Sequence, residues 1–206
     1  MFPHCFFITG TDTNVGKTVT AAMLTLGLDA AYWKPVQSGL EPITDTDYVR
    51  QVTELDSSYF IPERYRLTQP LSPHAAAAID GVAISLTDFE LPFTNKPYLI
   101  IEGAGGLMVP LNDNHLMIDL IQRLNVPVCL VSRSTLGTIN HTLLSIAQLR
   151  RYQIPILGVV INGEKNASNR EAISQFGRVP ILAELEPLES VNRVTLGAAF
   201  QQMNFS

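Results

Sequence analysis

Short apolar runs alternate along this chain with segments of helical period, and that alternation restricts the fold more than any other feature. The runs are Cys5–Thr9, Ala31–Pro35, Tyr98–Glu102, Val126–Ser132, Ile156–Asn162 and Val179–Ala183. Several are continuous and β-branched rather than alternating, which marks strands covered on both faces. The intervening patterns predict helices over Lys17–Leu28, Asp45–Glu54, His115–Leu124, Thr138–Tyr152, Ser168–Phe176 and Ser190–Met203. Ile139, Leu143, Ile146 and Leu149 show the helical spacing of three and four. Strands joined through helices require right-handed crossovers, so the expected class is α/β, a doubly wound, mostly parallel sheet with helices on both faces. A length of 206 residues with 46% hydrophobic content suits a single domain over residues 1–206 with one sizeable core. Residues 57–95, with Pro62, Pro70, Pro73 and Pro92, interrupt the alternation. They are read as a loop-rich insertion holding a short Ala75–Ile79 helix, long enough to be functional and expected near a substrate site.

Ligands of such sheets bind outside the carboxyl ends of the strands. The first strand runs into Gly10-Thr11-Asp12-Thr13-Asn14-Val15-Gly16-Lys17-Thr18-Val19, in the order strand, loop, helix. Backbone N–H groups and the positive end of a helix dipole favour an anion there. Lys17 adds a cation and the Thr18 hydroxyl can ligate Mg²⁺. The stretch reads as a P-loop, although five residues separate Gly10 from Gly16 where the usual motif has four.

The second strand ends in Lys34-Pro35-Val36-Gln37-Ser38-Gly39, which would aim a second lysine into the same cleft. A cation there stabilises charge on a transferring phosphoryl group; otherwise Lys34 is a strand-end lysine in water. In Thr44-Asp45-Thr46-Asp47 either aspartate can cap the next helix, or one of them can hold Mg²⁺. Glu102 follows an apolar run and precedes Gly103-Ala104-Gly105-Gly106. Nucleotide hydrolases hold a metal-binding carboxylate at this point, and Mg²⁺ takes one or two carboxylates with phosphate oxygens and waters. Thr18, Asp47 and Glu102 would meet that demand. The Ser132–His141 junction offers a further helix N-terminus suited to a carboxylate, with His141 readable as a base or as a structural residue. Asn162-Gly163 either reads a base edge through the amide or forms a turn.

A net charge of −5 gives no basic footprint for nucleic acid, and no apolar run approaches the ~20 residues of a membrane span. Cys5 and Cys129 lie in apolar runs and read as buried thiols. The first strand starts within a few residues of Met1, so no signal peptide is expected and a cytoplasmic location is.

Together these junctions resemble the dethiobiotin synthetase family of biotin biosynthesis, from Phe7 to about Glu184. The resemblance rests on the Gly10–Thr18 loop with its extra residue, Lys34-Pro35-Val36-Gln37-Ser38-Gly39, Ser72-Pro73-His74, Glu102-Gly103-Ala104-Gly105-Gly106 and Gly137-Thr138-Ile139-Asn140-His141. It implies a P-loop fold and an ATP-dependent cyclo-ligase. The substrates would be 7,8-diaminopelargonic acid, CO₂ and ATP, with Mg²⁺ as cofactor, and the product a cyclic urea. It implies catalytic roles for Lys17, Lys34 and Thr13, and a substrate contact for Ser38. ATP would be held by Asn14, Val15, Gly16, Lys17, Thr18, Val19, Asp47, Glu102, Gly103, Ala104, Gly105, Asn162 and Gly163. Thr18, Asp47 and Glu102 match metal ligands. The family is a homodimer, and Leu136–Asn140, with Asn140 as a contact, matches the place where the partner subunit holds the substrate carboxylate. Asn14 stands where the family commonly has glutamate. The rival reading is a P-loop switch ATPase that positions partners. Such proteins often carry a second lysine early in the loop, where this chain has Thr11, Asp12 and Thr13.

Overall fold

The computed structural model describes residues 2–203. In chain order the elements are β1 (Cys5–Gly10), α1 (Lys17–Gly27), β2 (Ala30–Trp33), β3 (Val36–Ser38), α2 (Asp45–Thr53), β4 (Phe60–Ile61), β5 (Tyr65–Leu67), α3 (Pro73–Asp80), β6 (Tyr98–Gly106), α4 (Met117–Leu124), β7 (Val128–Arg133), α5 (Thr138–Arg151), β8 (Ile156–Asn162), α6 (Ala167–Gly177), β9 (Ile181–Leu185) and α7 (Arg193–Gln201). Among the described residues the main sheet has seven strands in the order β4-β2-β6-β1-β7-β8-β9, and every pairing in it is parallel.

Alternation along the strands divides the core between two faces. Phe6 and Ile8 of β1 pack with Ala21 and Leu24 of α1, Val49 of α2 and Phe200 of α7. Phe7 faces the other way, among residues of α4, α5 and α6 that include Leu120, Ile146 and Ile173. All three β1 side chains are fully buried, as continuous apolar strands between two helical layers must be.

The strand boundaries move inward where proline intervenes. β7 starts at Val128 and β9 at Ile181, immediately after Pro127 and Pro180. Those prolines lack an N–H but still contribute carbonyls, to Phe7 N and Val159 N. β6 runs past Glu102 to Gly106, with Gly106 opposite Gly10. The stretch 57–95 holds more structure than a loop-rich insertion: β4 extends the main sheet beside β2, and β5 pairs with β3. α3 spans Pro73–Asp80, longer than Ala75–Ile79. Strands of two or three residues are too short to show a period in sequence. Cys129 is buried and its thiol is pushed up to about 12, while Cys5 is only partly buried, its thiol at about 11; burial drives both shifts.

Gly27 closes α1 against α7, where an added Cβ would lie 2.2 Å from Cγ of Phe200. Alanine normally stabilises a helix relative to glycine. Gly27→Ala is expected to do the opposite here, lowering stability by about 1–3 kcal/mol through overpacking. A urea melt giving equal or greater stability would show that the α1–α7 contact yields.

Candidate functional site

The loop after β1 is shaped by backbone geometry. Asn14 has φ 56° and Gly16 φ 95°. Asparagine enters the left-handed region more readily than most residues, which gives Asn14 a conformational reason. At Gly16 a Cβ would lie 2.1 Å from Nδ2 of Asn162, so only glycine fits. Asn162, at the end of β8, donates from Nδ2 to the Val15 carbonyl at 3.0 Å and fixes the loop from below. Gly16 is the N-cap of α1 and provides no side-chain acceptor, in contrast to Thr44, Asn166 and Asn192 at the starts of α2, α6 and α7. The first N–H groups of α1 are thus left to a ligand. Lys17 folds back, its Nζ donating to the Asp12 carbonyl at 2.9 Å. Asp12 accepts from Thr13 N at 2.7 Å and pairs with Arg133 at 2.7 Å; the Thr13 N–H is the main reason its carboxyl lies below the ordinary value.

Facing the loop is a buried polar cluster. Lys34 Nζ lies 3.0 Å from Glu102 Oε1 and 2.5 Å from Asp45 Oδ2. Thr18 Oγ1 lies 2.9 Å from Glu102 Oε1 and 3.1 Å from Asp45 Oδ1. Tyr32 donates to Glu102 Oε2 at 2.8 Å. Glu102 is 0% exposed and Lys34 4%. Burial opposes the Lys34 ammonium, but Glu102 and Asp45 outweigh it and raise its pKa above the ordinary value. Burial likewise works against the Asp45 carboxylate, and Lys34 more than compensates, so its pKa falls. Lys17 is shifted down, by burial first; Lys34 adds to the shift and Glu102 resists it. Burial, then the Glu102 charge, raise the Tyr32 phenol well above its usual range, which keeps it a donor. Among the described residues no three His, Cys, Asp or Glu side chains form a metal cage. Thr18, Asp45 and Glu102 nevertheless bring three hard oxygen donors together, a set that fits Mg²⁺ with its remaining positions left to phosphate and water.

Loop and cluster share a cavity of about 970 Å³. Of the residues expected from sequence, Thr13, Asn14, Gly16, Lys17, Thr18, Val19, Lys34, Ser38, Glu102, Ala104, Gly105 and Asn162 line it. Ser38 Oγ is buried there without a hydrogen-bond partner. Pro70 to Pro73 of the 57–95 stretch form part of its wall. Several others lie elsewhere. Val15 is buried and contributes its carbonyl to Asn162. Gly103 lies under the Phe7 ring, and Gly163 N donates to the Leu185 carbonyl. Asn140 is exposed on α5, and His141 borders a separate cavity of about 340 Å³ with Asp12 and Leu144.

Asp47, expected as a metal ligand, is not brought into the cluster. Its carboxylate accepts from Thr44 Oγ1 at 2.7 Å while Thr44 accepts from Asp47 N, and the side chain is half-exposed near Arg50. Asp45, at the first position of α2, reaches Thr18 and Lys34 instead. The Thr-x-x-Asp spacing of a helix cap was the available signal: it assigns Asp47 to the cap and leaves Asp45 free. Sequence reasoning also missed Tyr32, which the apolar run disguised as core, and Gln37, whose Oε1 accepts from Asp45 N at 3.1 Å and whose Nε2 donates to the Gly39 carbonyl.

Residues 4–195 match a family model described as an AAA domain. An ATP-dependent dethiobiotin synthetase BioD of Rhodopseudomonas palustris strain TIE-1 is 50% identical over 94% of this chain and 91% of its own length. Relatives of the same name are 48% identical in Paramagnetospirillum magneticum, over 92% of this chain and 91% of theirs, and 47% identical in Brucella ovis, over 94% and 91%. A ParA-family ATPase of Chlorobium tepidum superposes with TM-score 0.53 at 15% identity, covering 96% of each chain. The septum-site protein MinD of Pyrococcus horikoshii gives 0.55 at 14%, over 97% of this chain and 93% of its own. These two likenesses establish the P-loop α/β fold and nothing finer.

The folded Asp45 pKa lies below its unfolded value of about 3.9, so its pairing stabilises the fold above that value and the contribution is lost as pH falls through the folded pKa. In Lys34→Met, Asp45 and Glu102 would face each other without their cation. The gap in melting temperature between wild type and variant is expected to widen from about pH 4 to pH 7, because only the wild type keeps a cation beside the Asp45 carboxylate. A pH-independent gap would mean that the pairing contributes nothing.

Proposed function

We propose a mechanism from the premise that the chain belongs to the family of ATP-dependent dethiobiotin synthetases. It is an ATP-dependent ligase of biotin synthesis, closing the ureido ring of dethiobiotin. The observation that carries the reading is the joining of the uncapped α1 loop to the Lys34–Glu102–Asp45–Thr18 cluster in one cavity.

One amine of 7,8-diaminopelargonic acid adds to CO₂ and loses a proton, giving a carbamate. A carbamate oxygen attacks the γ-phosphorus of ATP, the bond to the bridging oxygen breaks, and ADP leaves. The second amine attacks the carbonyl carbon of the mixed anhydride, phosphate departs with the C–O electron pair, and loss of a proton leaves the cyclic urea. No protein nucleophile is required, so catalysis reduces to positioning and charge stabilisation. Lys17 and the N–H groups at the head of α1 bind the β- and γ-phosphates. Lys34, buried at the cavity wall, balances charge on the carbamate and the transferring phosphoryl group, and Thr13, which lines the same cavity, assists. Thr18, Asp45 and Glu102 would hold Mg²⁺, which supplies neutralisation of the phosphate oxygens. The unpartnered Ser38 hydroxyl suits a substrate amine or carbamate. Asn162, with one N–H committed to Val15, keeps the rest of its amide for the base.

A homodimer and a cytoplasmic location complete the proposal. Among the described residues no helix is long and apolar enough to cross a membrane. Leu136 is fully exposed beside Gly137, the left-handed N-cap of α5, which has no side-chain cap. An apolar side chain next to a helix N-terminus without a side-chain cap suits a partner subunit's substrate carboxylate, with Asn140 in the first turn.

Phosphate release from ATP is expected to depend on diaminopelargonate and bicarbonate and to be matched by dethiobiotin in mass spectra. Substrate-independent turnover without that product would favour the switch-ATPase reading. Lys34→Gln should retain ATP binding while kcat falls about 10²-fold or more; unchanged kcat would remove Lys34 from the chemistry. Asp45→Asn should move the Mg²⁺ titration midpoint upward by about tenfold or more, and Asp47→Asn should leave it in place. The reverse pattern would restore Asp47 as the ligand.

A further inference from the structure

Glu102 has two carboxylate oxygens in different surroundings. Oε1 faces the cavity side, with Thr18 Oγ1 at 2.9 Å and Lys34 Nζ at 3.0 Å. Oε2 points back into the fold, where the Tyr32 hydroxyl donates to it at 2.8 Å. The sheet register explains the contact. Tyr32 of β2 lies opposite Ile100 of β6, and Glu102 follows Ile100 by two residues on the same face. Diagonal neighbours on adjacent strands are within reach of a long aromatic side chain. The Tyr32 ring is itself fully buried and meets Phe60 edge-on, with centroids 6.3 Å apart. Its hydroxyl therefore has a defined position.

The terminal torsion of a glutamate is broad and roughly two-fold. Two partners on Oε1 alone leave the plane of the carboxylate free to turn. A third partner on the opposite oxygen removes that freedom, and it relieves Oε2 of being buried unpaired. A phenylalanine would fill the same space in the core, so the hydroxyl has no packing role.

We infer that Tyr32 is a positioning residue for the divalent cation: its hydroxyl locks the Glu102 carboxylate so that Oε1 is presented beside Thr18 and Asp45. This rests on the proposed role of Glu102 as a metal ligand and deepens it. Outer partners of ligating carboxylates commonly govern metal affinity by about 10–100-fold.

The test is Tyr32→Phe, with Mn²⁺ as probe. Free Mn²⁺ is measured by electron paramagnetic resonance during titration of the enzyme–ADP complex, beside Glu102→Gln and the double variant, all checked for folding by circular dichroism. The expected result is Mn²⁺ affinity weakened about tenfold or more in Tyr32→Phe. The activity of that variant should be recovered by excess Mg²⁺, so that KM for Mg²⁺ rises while kcat stays within about twofold. The double variant should bind no more weakly than Glu102→Gln alone, since the hydroxyl acts only through that carboxylate. Unchanged Mn²⁺ affinity in Tyr32→Phe, with only a lowered melting temperature, would reduce Tyr32 to a structural residue and overturn the inference. Unchanged affinity in Glu102→Gln would instead overturn the ligand reading beneath it.

Discussion

A carboxylate with no solvent access sits at the centre of this protein, and much of the surrounding structure serves to keep it there. Glu102 ends an apolar stretch of β6 and is entirely enclosed. An isolated buried charge is untenable, so its partners must be both charged and fixed. Lys34 just after β2, Thr18 from α1 and Tyr32 from β2 meet that demand, and Asp45 from α2 shares the lysine. Breaking one member of such a set leaves the others unpaired, typically about 3–5 kcal/mol for a buried ion pair. The cluster therefore couples the stability of the fold to the integrity of the site.

Topology makes this possible. β6 is inserted between β1 and β2 although β2 ends at Trp33 and β6 does not begin until Tyr98. That placement brings the end of β6 between the phosphate loop after β1 and the lysine after β2, all at the carboxyl edge of a parallel sheet. The pairing of β3 with β5 then carries the 57–95 stretch to the same edge, so that Pro70 to Pro73 wall the cavity containing Ser38. The insertion is thus built into the site through main-chain pairing.

Features that depend on local chemistry were legible in the sequence. The Gly10–Thr18 loop, Lys34 and Glu102 each follow an apolar run, and strand ends of an α/β fold are where ligands go. What escaped depends on pairing across the sheet or on rotation about a helix. Tyr32 looks like any apolar-run aromatic until β2 is registered on β6. Asp45 and Asp47 differ by two positions on α2, which turns them to different sides; only the cap made by Thr44 decides between them. β3, β4 and β5 are too short to carry a hydrophobic period.

The charges of the cluster have a further consequence for the proposed chemistry. Lys17 and Lys34 are offset by Asp45 and Glu102 before any substrate arrives. Two lysines converging on one cavity would otherwise repel, and burial would favour their neutral forms. The carboxylates keep Lys34 charged and hold it on the wall, so that its cation is already in position when a carbamate and a triphosphate enter. A donor fixed before the reaction does not have to be reorganised during it. In this reading the carboxylates that would bind the metal also preserve the lysine that stabilises phosphoryl transfer, which is why neither can be altered without disturbing the other.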